Sequence, residues 1–301
     1  MKNLTLLTLQ IFLLAIPKVY SQGCSDAGVC TLASPLKDST ITNKSNLEIG
    51  YIFGKGYEDV VYNNGFANYG HSFSKRWTMN AKVTYNQANG SFGTRGCLGD
   101  AFIAANYTNK FKKGAALSAL LGVKIPFNSA NLKINDVPLP MDYQSSLGTF
   151  DAVVGIEYQY KKWNIDAALQ LPVLQSNRNS YFDEYSASDI FPTTNLFRRK
   201  PDALLRGSYT INTNNSRWTF RPSILVIYHL GNDSYVNIFG KRGEIEDSEG
   251  LTLNASMATH YKINSQHTVL VNLSAPLIVR DIRPDGLTRS FIASLSHQYK
   301  F

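Results

Sequence analysis

One feature limits this chain more than any other. Apolar and polar side chains alternate with a period of two along nearly its whole length. The alternation is clearest at Trp77–Asn86. Trp77, Met79, Ala81, Val83 and Tyr85 fall on one face, and Thr78, Asn80, Lys82, Thr84 and Asn86 on the other. Successive side chains of a strand point to opposite faces, so this stretch reads as a two-faced β-strand. Its apolar face opens on Trp and closes on Tyr, rings that favour the boundary between lipid and water. The same pattern predicts strands over 46–54, 65–74, 100–108, 115–125, 151–160, 163–173, 201–212, 218–230, 251–262, 268–279 and 288–301. In the last of these Phe291, Ala293, Leu295, Tyr299 and Phe301 share a face, interrupted only by His297.

Past its first residues the chain has no run of the ~20 apolar residues that a spanning helix needs. Only helices and closed barrels satisfy every backbone group in lipid. The expected fold is therefore all-β, a closed antiparallel transmembrane β-barrel of about 12 strands. Short turns are expected at Ser74–Arg76, Phe111–Gly114, Lys161-Lys162, Thr213–Arg217 and Asn264–Gln266. Long loops are expected at 55–64, 87–97, 127–147, 174–199, 231–250 and 280–287. This asymmetry matches short periplasmic turns and long extracellular loops in a Gram-negative outer membrane. An internal period supports it. Asp100-Ala101, Asp151-Ala152 and Asp202-Ala203 recur every 51 residues, and Asn254-Ala255 follows 52 later. Self-similarity at a fixed period marks a repeated hairpin.

The first residues read as a signal peptide over 1–21: basic Lys2, apolar Leu4–Ile16, then Val19-Tyr20-Ser21 as a cleavage site. Ser21-Gln22-Gly23 lacks the aliphatic residue of a lipoprotein motif before Cys24. Residues 22–45 would form a periplasmic segment or a plug that enters the lumen, and 46–301 the barrel. Export permits a disulfide between Cys24 and Cys30, which leaves Cys97 over. No His stands near these cysteines at ligand spacing, so neither metal nor cofactor is expected. The formal charge of +8 falls mostly in turns and loops, as at Lys75-Arg76, Lys112-Lys113, Lys161-Lys162 and Arg198-Arg199-Lys200. That spread suits outer-membrane lipid and lipopolysaccharide as partners, and not nucleic acid.

The inward parity collects Asp100, Asp151 and Asp202 near the extracellular mouth, with Lys82, Lys124, Arg206, Arg221 and His229. Two readings stand. One is an acidic ring that filters solutes or holds a cation. The other is a packed network in which carboxylates pair with Lys124, Arg206 and Arg221. His229 and His260 prompt a search for a hydrolase, but no Ser-His-Asn arrangement with an orienting partner emerges.

Leu98-Gly99-Asp100-Ala101 resembles the Gly-Leu-Gly-Asp pattern of the outer-membrane transporters named for the meta-pathway of phenol degradation, relatives of the FadL-like channels. Pro126, Pro172 and Pro276 resemble the prolines near the outer ends of that family's upward strands, although the Gly that follows in the family is missing at all three. Tyr299 and Phe301 resemble the C-terminal signature read by the outer-membrane insertion machinery. The resemblance implies passive uptake of a small, apolar solute, with no reaction. A structural or adhesive barrel with a filled lumen is the alternative, and an outer-membrane lipid hydrolase the third reading.

Overall fold

The computed structural model describes residues 44–186, 190–214, 217–286 and 289–301. In it the alternating segments close into one ring. The strands are β1 (Ser45–Gly56), β2 (Val61–Ser72), β3 (Trp77–Gly90), β4 (Gly93–Lys110), β5 (Ala115–Pro126) and β6 (Thr149–Tyr160). They continue as β7 (Trp163–Gln175), β8 (Asp202–Tyr209), β9 (Trp218–His229), β10 (Gly250–Lys262), β11 (His267–Ile278) and β12 (Arg289–Lys300). Each pairs antiparallel with the next, and β12 pairs with β1 to close the ring. A short strand, Ile211–Asn212, extends the ladder on β9 beyond the end of β8. The expected signal peptide over 1–21, and the expected periplasmic segment or plug over 22–45 up to residue 43, lie outside the described residues, as do Cys24 and Cys30.

The ring is inside-out relative to a water-soluble fold. Ile49, Leu121 and Leu295 face outward and are 60%, 63% and 57% exposed, while inward-facing Asn68, Lys82, Thr108, Asn254 and Ser274 are buried. Such a surface is stable only against hydrocarbon. At the short-turn end each Trp of the chain sits in register with a Tyr of the adjacent strand. Trp77 meets Tyr107 at 5.0 Å between ring centroids, Trp163 meets Tyr209 at 4.7 Å, and Trp218 meets Tyr261 at 4.5 Å. These pairs form an aromatic girdle at one interface. Tyr299 and Phe301 join it, with centroids 5.6 Å apart. Phe301 is fastened to the seam: its amide donates to the Ser45 carbonyl at 2.9 Å, and the Ser45 amide donates to its carbonyl at 3.0 Å.

Two of the long loops expected from sequence are absent. The span 87–97 is strand. Asn89 pairs with Thr94 and Gly90 with Gly93, so only Ser91-Phe92 turns the chain. Gly93 has φ +100°, a conformation glycine takes without strain. Polar, Asn-rich sequence here marks a hairpin that rises clear of lipid. The span 55–64 is likewise mostly strand, with β1 and β2 joined through residues 57–60.

The remaining extracellular segments cover the mouth and have a conventional apolar core. Tyr62 and Ala88 from the wall and Val60 from the β1–β2 connection pack with Leu139, Tyr143, Tyr181 and Phe191 from the loops. Phe92 sits edge-on to Tyr143, Tyr181 and Phe191. A second cluster joins Ala130, Met141, Leu147, Phe197 and Ile245. Replacing outward-facing Leu121 by Arg is expected to destabilise the barrel in lipid by up to about 2–4 kcal/mol, the full range applying if the site lies at the bilayer midplane. Unfolding titration in lipid vesicles, followed by tryptophan fluorescence, measures it. Ser118→Ala, on the inner face, should change much less.

Candidate functional site

The internal period of the sequence acquires a structural meaning at the mouth. Asp100, Asp151 and Asn254 all face inward, and each is the cross-strand partner of a proline: Pro126, Pro172 and Pro276 respectively. The register slips beside Asp151 and beside Asn254. Proline offers no amide, so the ladder loosens at this level. In the third hairpin of this series, β8–β9, Asp202 faces His229 instead.

The acids do not stand as an open ring. Asp151 meets Lys124 at 3.0 Å and accepts a bond from Gln170 Nε2 at 2.5 Å. Lys124 also donates to Thr149 Oγ1 at 2.9 Å. Asp202 is bonded to Arg199 and lies 2.6 Å from His229 Nδ1. His229 Nε2 lies 2.8 Å from Asp233. Both ring nitrogens thus face carboxylates, and both bonds form only when each nitrogen carries a hydrogen. Asp285 pairs with Arg280 and lies 3.7 Å from Arg199 Nε. These groups come from three loops and five strands, and every side chain among them is essentially water-free. Arg199 therefore does not meet lipid headgroups as its place in a basic run suggests, whereas Arg198 and Lys200 are exposed. Burial disfavours the Arg199 charge, but Asp202 and Asp285 more than offset it and hold its pKa above the ordinary value. Burial likewise pushes the Asp285 carboxyl up, and Arg280 and Arg199 outweigh that and hold it below the usual carboxylate range.

Asp100 organises a different part of the mouth. Its Oδ1 accepts from Ser146 Oγ at 2.5 Å, and Asn86 Nδ2 donates to the Ser145 carbonyl at 2.6 Å. The segment 139–149 is buried along almost its whole length against these inward-facing groups. Gly99 makes the approach feasible. A Cβ there would stand 2.5 Å from Thr84 Oγ1 and 2.7 Å from the Ser145 carbonyl oxygen. A small cavity of about 30 Å³ remains beside it, lined by Tyr62, Asp100, Gln144, Ser146 and Asp285 among others.

Below the mouth an apolar collar crosses the lumen. Phe102, Ala104, Val153, Leu204, Leu225 and Ile227 pack together, with Leu120 and Ala168 against them. Below that the lining is polar and partly exposed. Arg206 Nε donates to Asp166 at 2.8 Å, and Arg221 Nε donates to Ser208 Oγ at 3.0 Å. At the level of the collar, opposite Phe102 across the ladder, buried Lys82 lies over the Phe66 ring at 4.2 Å, a cation–π contact. Cys97 is a free, half-buried thiol on β4.

One outward Ser–His contact exists, Ser45 Oγ to His71 Nδ1 at 2.9 Å, at the short-turn end. Among the described residues no carboxylate or amide side chain orients His71. Among the described residues the pair thus has no third group of the kind that aligns the base in a hydrolase.

No family model matches this sequence, and no curated protein does. Solved structures share its fold. An outer-membrane channel from Pseudomonas putida F1 superimposes with a TM-score of 0.60 over 89% of this chain and 99% of that one, at 14% identity. The NanC porin gives 0.46 over 85% and 98%, at 12% identity. A FadL homologue of Pseudomonas aeruginosa gives 0.42 over 87% and 91%, at 9% identity. At 14% identity the first likeness shows a common barrel architecture.

Sequence reasoning places Asp100, Asp151 and Asp202 near the mouth with Lys124 and His229 on the same inward face; Asp151 stands with Lys124 and Asp202 with His229, while Asp100 bonds to Ser146 apart from both pairs. Arg206 and Arg221 lie lower and Lys82 apart from both. It missed Arg199, Asp233, Arg280 and Asp285. These sit in loops without periodicity, and only the Pro284-Asp285-Gly286 turn signal touches one of them.

Two outcomes follow for the network. Arg199→Gln leaves Asp202 and Asp285 short of a buried partner and should cost about 3–5 kcal/mol in thermal or urea unfolding. Asp285 is lowered in the folded state, so its contribution is complete above its unfolded pKa of roughly 3.9 and is lost as pH falls through the folded value. Protection of the amides over 230–249 and 279–286, taken as exchange relative to the intrinsic rate at each pH, should hardly change from pH 7 to 5 and should fall below about pH 4. Equal protection at pH 3 and pH 6 argues against Asp285 as a tie.

Proposed function

We propose that this protein is an outer-membrane channel for passive uptake of a small, apolar or partly apolar solute. The observation that carries this reading is the apolar collar between two polar zones. Twelve strands lie between the eight whose lumen side chains can fill and the 16 or more that leave an aqueous pore. Wall side chains such as Phe102 and Leu225 pack together within that lumen, and a change of their rotamers would widen it. Constrictions of this kind gate by dewetting and pass apolar solutes more readily than ions. The barrel shared with the Pseudomonas putida outer-membrane channel supports the same reading and an outer-membrane location. The exposed apolar belt and aromatic girdle support lipid as its surroundings.

The alternative is a structural or adhesive barrel. The same collar, the buried network at the mouth and the packed loops favour it, because they fill the lumen. Planar-bilayer conductance of the refolded protein with a panel of solutes separates the two. The channel reading expects conductance that rises several-fold in Phe102→Ala and Leu225→Ala. Silence in the wild type and both variants, with no block by any solute, supports the filled barrel.

Gly99→Ala tests the cap separately. The added methyl group should displace the 139–149 segment and lose the Ser146–Asp100 and Asn86–Ser145 bonds. Destabilisation of about 1–3 kcal/mol and a larger conductance are expected, read by unfolding and by bilayer recording.

A further inference from the structure

Charged side chains in the lumen differ in how fully they are occupied. Lys124 is paired with Asp151, and Arg206 with Asp166. Arg221 is the exception. Among the described residues its one hydrogen bond is from Nε to a neutral hydroxyl, Ser208 Oγ at 3.0 Å. Among the described residues no carboxylate lies within salt-bridge distance of it. The two acids that face it at longer range, Asp166 and Glu157, are engaged elsewhere: Asp166 by Arg206 at 2.8 Å and Glu157 by Asn164 Nδ2 at 2.6 Å. The residue is partly exposed to the lumen, so the two-pronged edge of the guanidinium is left for a ligand.

Register fixes where that edge lies. Ser208 on β8 pairs with Ser223 on β9, two residues above Arg221. The bond to Ser208 therefore lifts the guanidinium to the level of Ser223, whose hydroxyl lies 2.7 Å from Ser256 Oγ. Leu225 of the collar is the next inward residue up β9, and two strand residues span about 7 Å. A cation free of carboxylate, with hydroxyls beside it, thus sits below an apolar wall at the span of one aromatic ring and its acid group. A guanidinium binds carboxylate through two parallel bonds, and such charge-assisted bonds are among the stronger ones.

We propose that Arg221 is an anion-binding residue of the lumen that takes the carboxylate of a small organic acid, while the apolar body of that acid rests against Leu225 and the collar. This deepens the channel reading and rests on it for the route by which the acid arrives. It narrows the solute from apolar to amphipathic and anionic.

The test uses the full chain, refolded in detergent and in planar bilayers, with benzoate and its uncharged counterpart benzyl alcohol as probes. Folding of each variant is checked by heat-modifiable gel mobility. Calorimetric titration in detergent should show that benzoate binds wild type more tightly than benzyl alcohol does. Arg221→Gln should weaken benzoate about tenfold or more and leave benzyl alcohol unchanged. Arg221→Lys keeps the charge but loses the fork, and should weaken benzoate severalfold. It replaces Arg221→Gln if that variant does not fold. Benzoate bound equally by wild type and variant, or no preference for benzoate over benzyl alcohol, overturns the proposal. Discrimination lost in Arg221→Gln without any conductance upholds the site and removes the channel reading. Conductance without discrimination does the reverse.

Discussion

A backbone amide in hydrocarbon has no water to turn to, so each must find a partner within the chain. That requirement is met here by the seam between β1 and β12, whose register runs from Asn46 opposite Lys300 up to Gly56 opposite Arg289. Once the seam closes, no strand edge remains for lipid to meet. The rest of the molecule then follows from which way each side chain points. From Trp77 to Tyr85 the odd-numbered positions of β3 meet lipid and the even ones the lumen, and a slip of one residue would drive Lys82 and Asn80 into hydrocarbon.

Two solvents therefore govern one chain. In the ring the apolar groups face out and the polar groups in. Above it, Tyr143, Tyr181, Phe191 and Phe197 are hidden from water as in any soluble domain. The two regimes meet at the Asp202–Arg199–Asp285 network, where wall and loops share carboxylates and guanidinium groups. Ionic groups buried at such a joint add little net stability compared with apolar packing, but they tolerate few alternative arrangements. In this fold they fix the loops over the lumen.

The ring was legible because a period of two survives in the sequence wherever one face meets lipid. All 12 segments show it, Trp77–Asn86 most fully, and each became a strand. The hairpin at 87–97 was not legible, since above the membrane both faces are wetted and the alternation fades. The aspartates at 51-residue spacing and the prolines were each visible, but that Asp100 faces Pro126 and Asp151 faces Pro172 is a matter of register, which no single strand encodes. Arg199 illustrates a further limit. Its neighbours Arg198 and Lys200 are exposed, and only partners from distant segments make the middle residue a buried one.

The meeting of Asp or Asn with Pro across three hairpins has a consequence for how such a barrel can change size. Each hairpin brings its own rim, an inward acid or amide on the descending strand and a proline on the ascending one. A hairpin also returns the chain to the side it left. Duplicating or deleting one whole unit would widen or narrow the ring by two strands, keep both termini on the same side, and leave the remaining rims as they were. The barrel is in this respect modular, with circumference set by the number of units and the shape of the mouth by the loops between them.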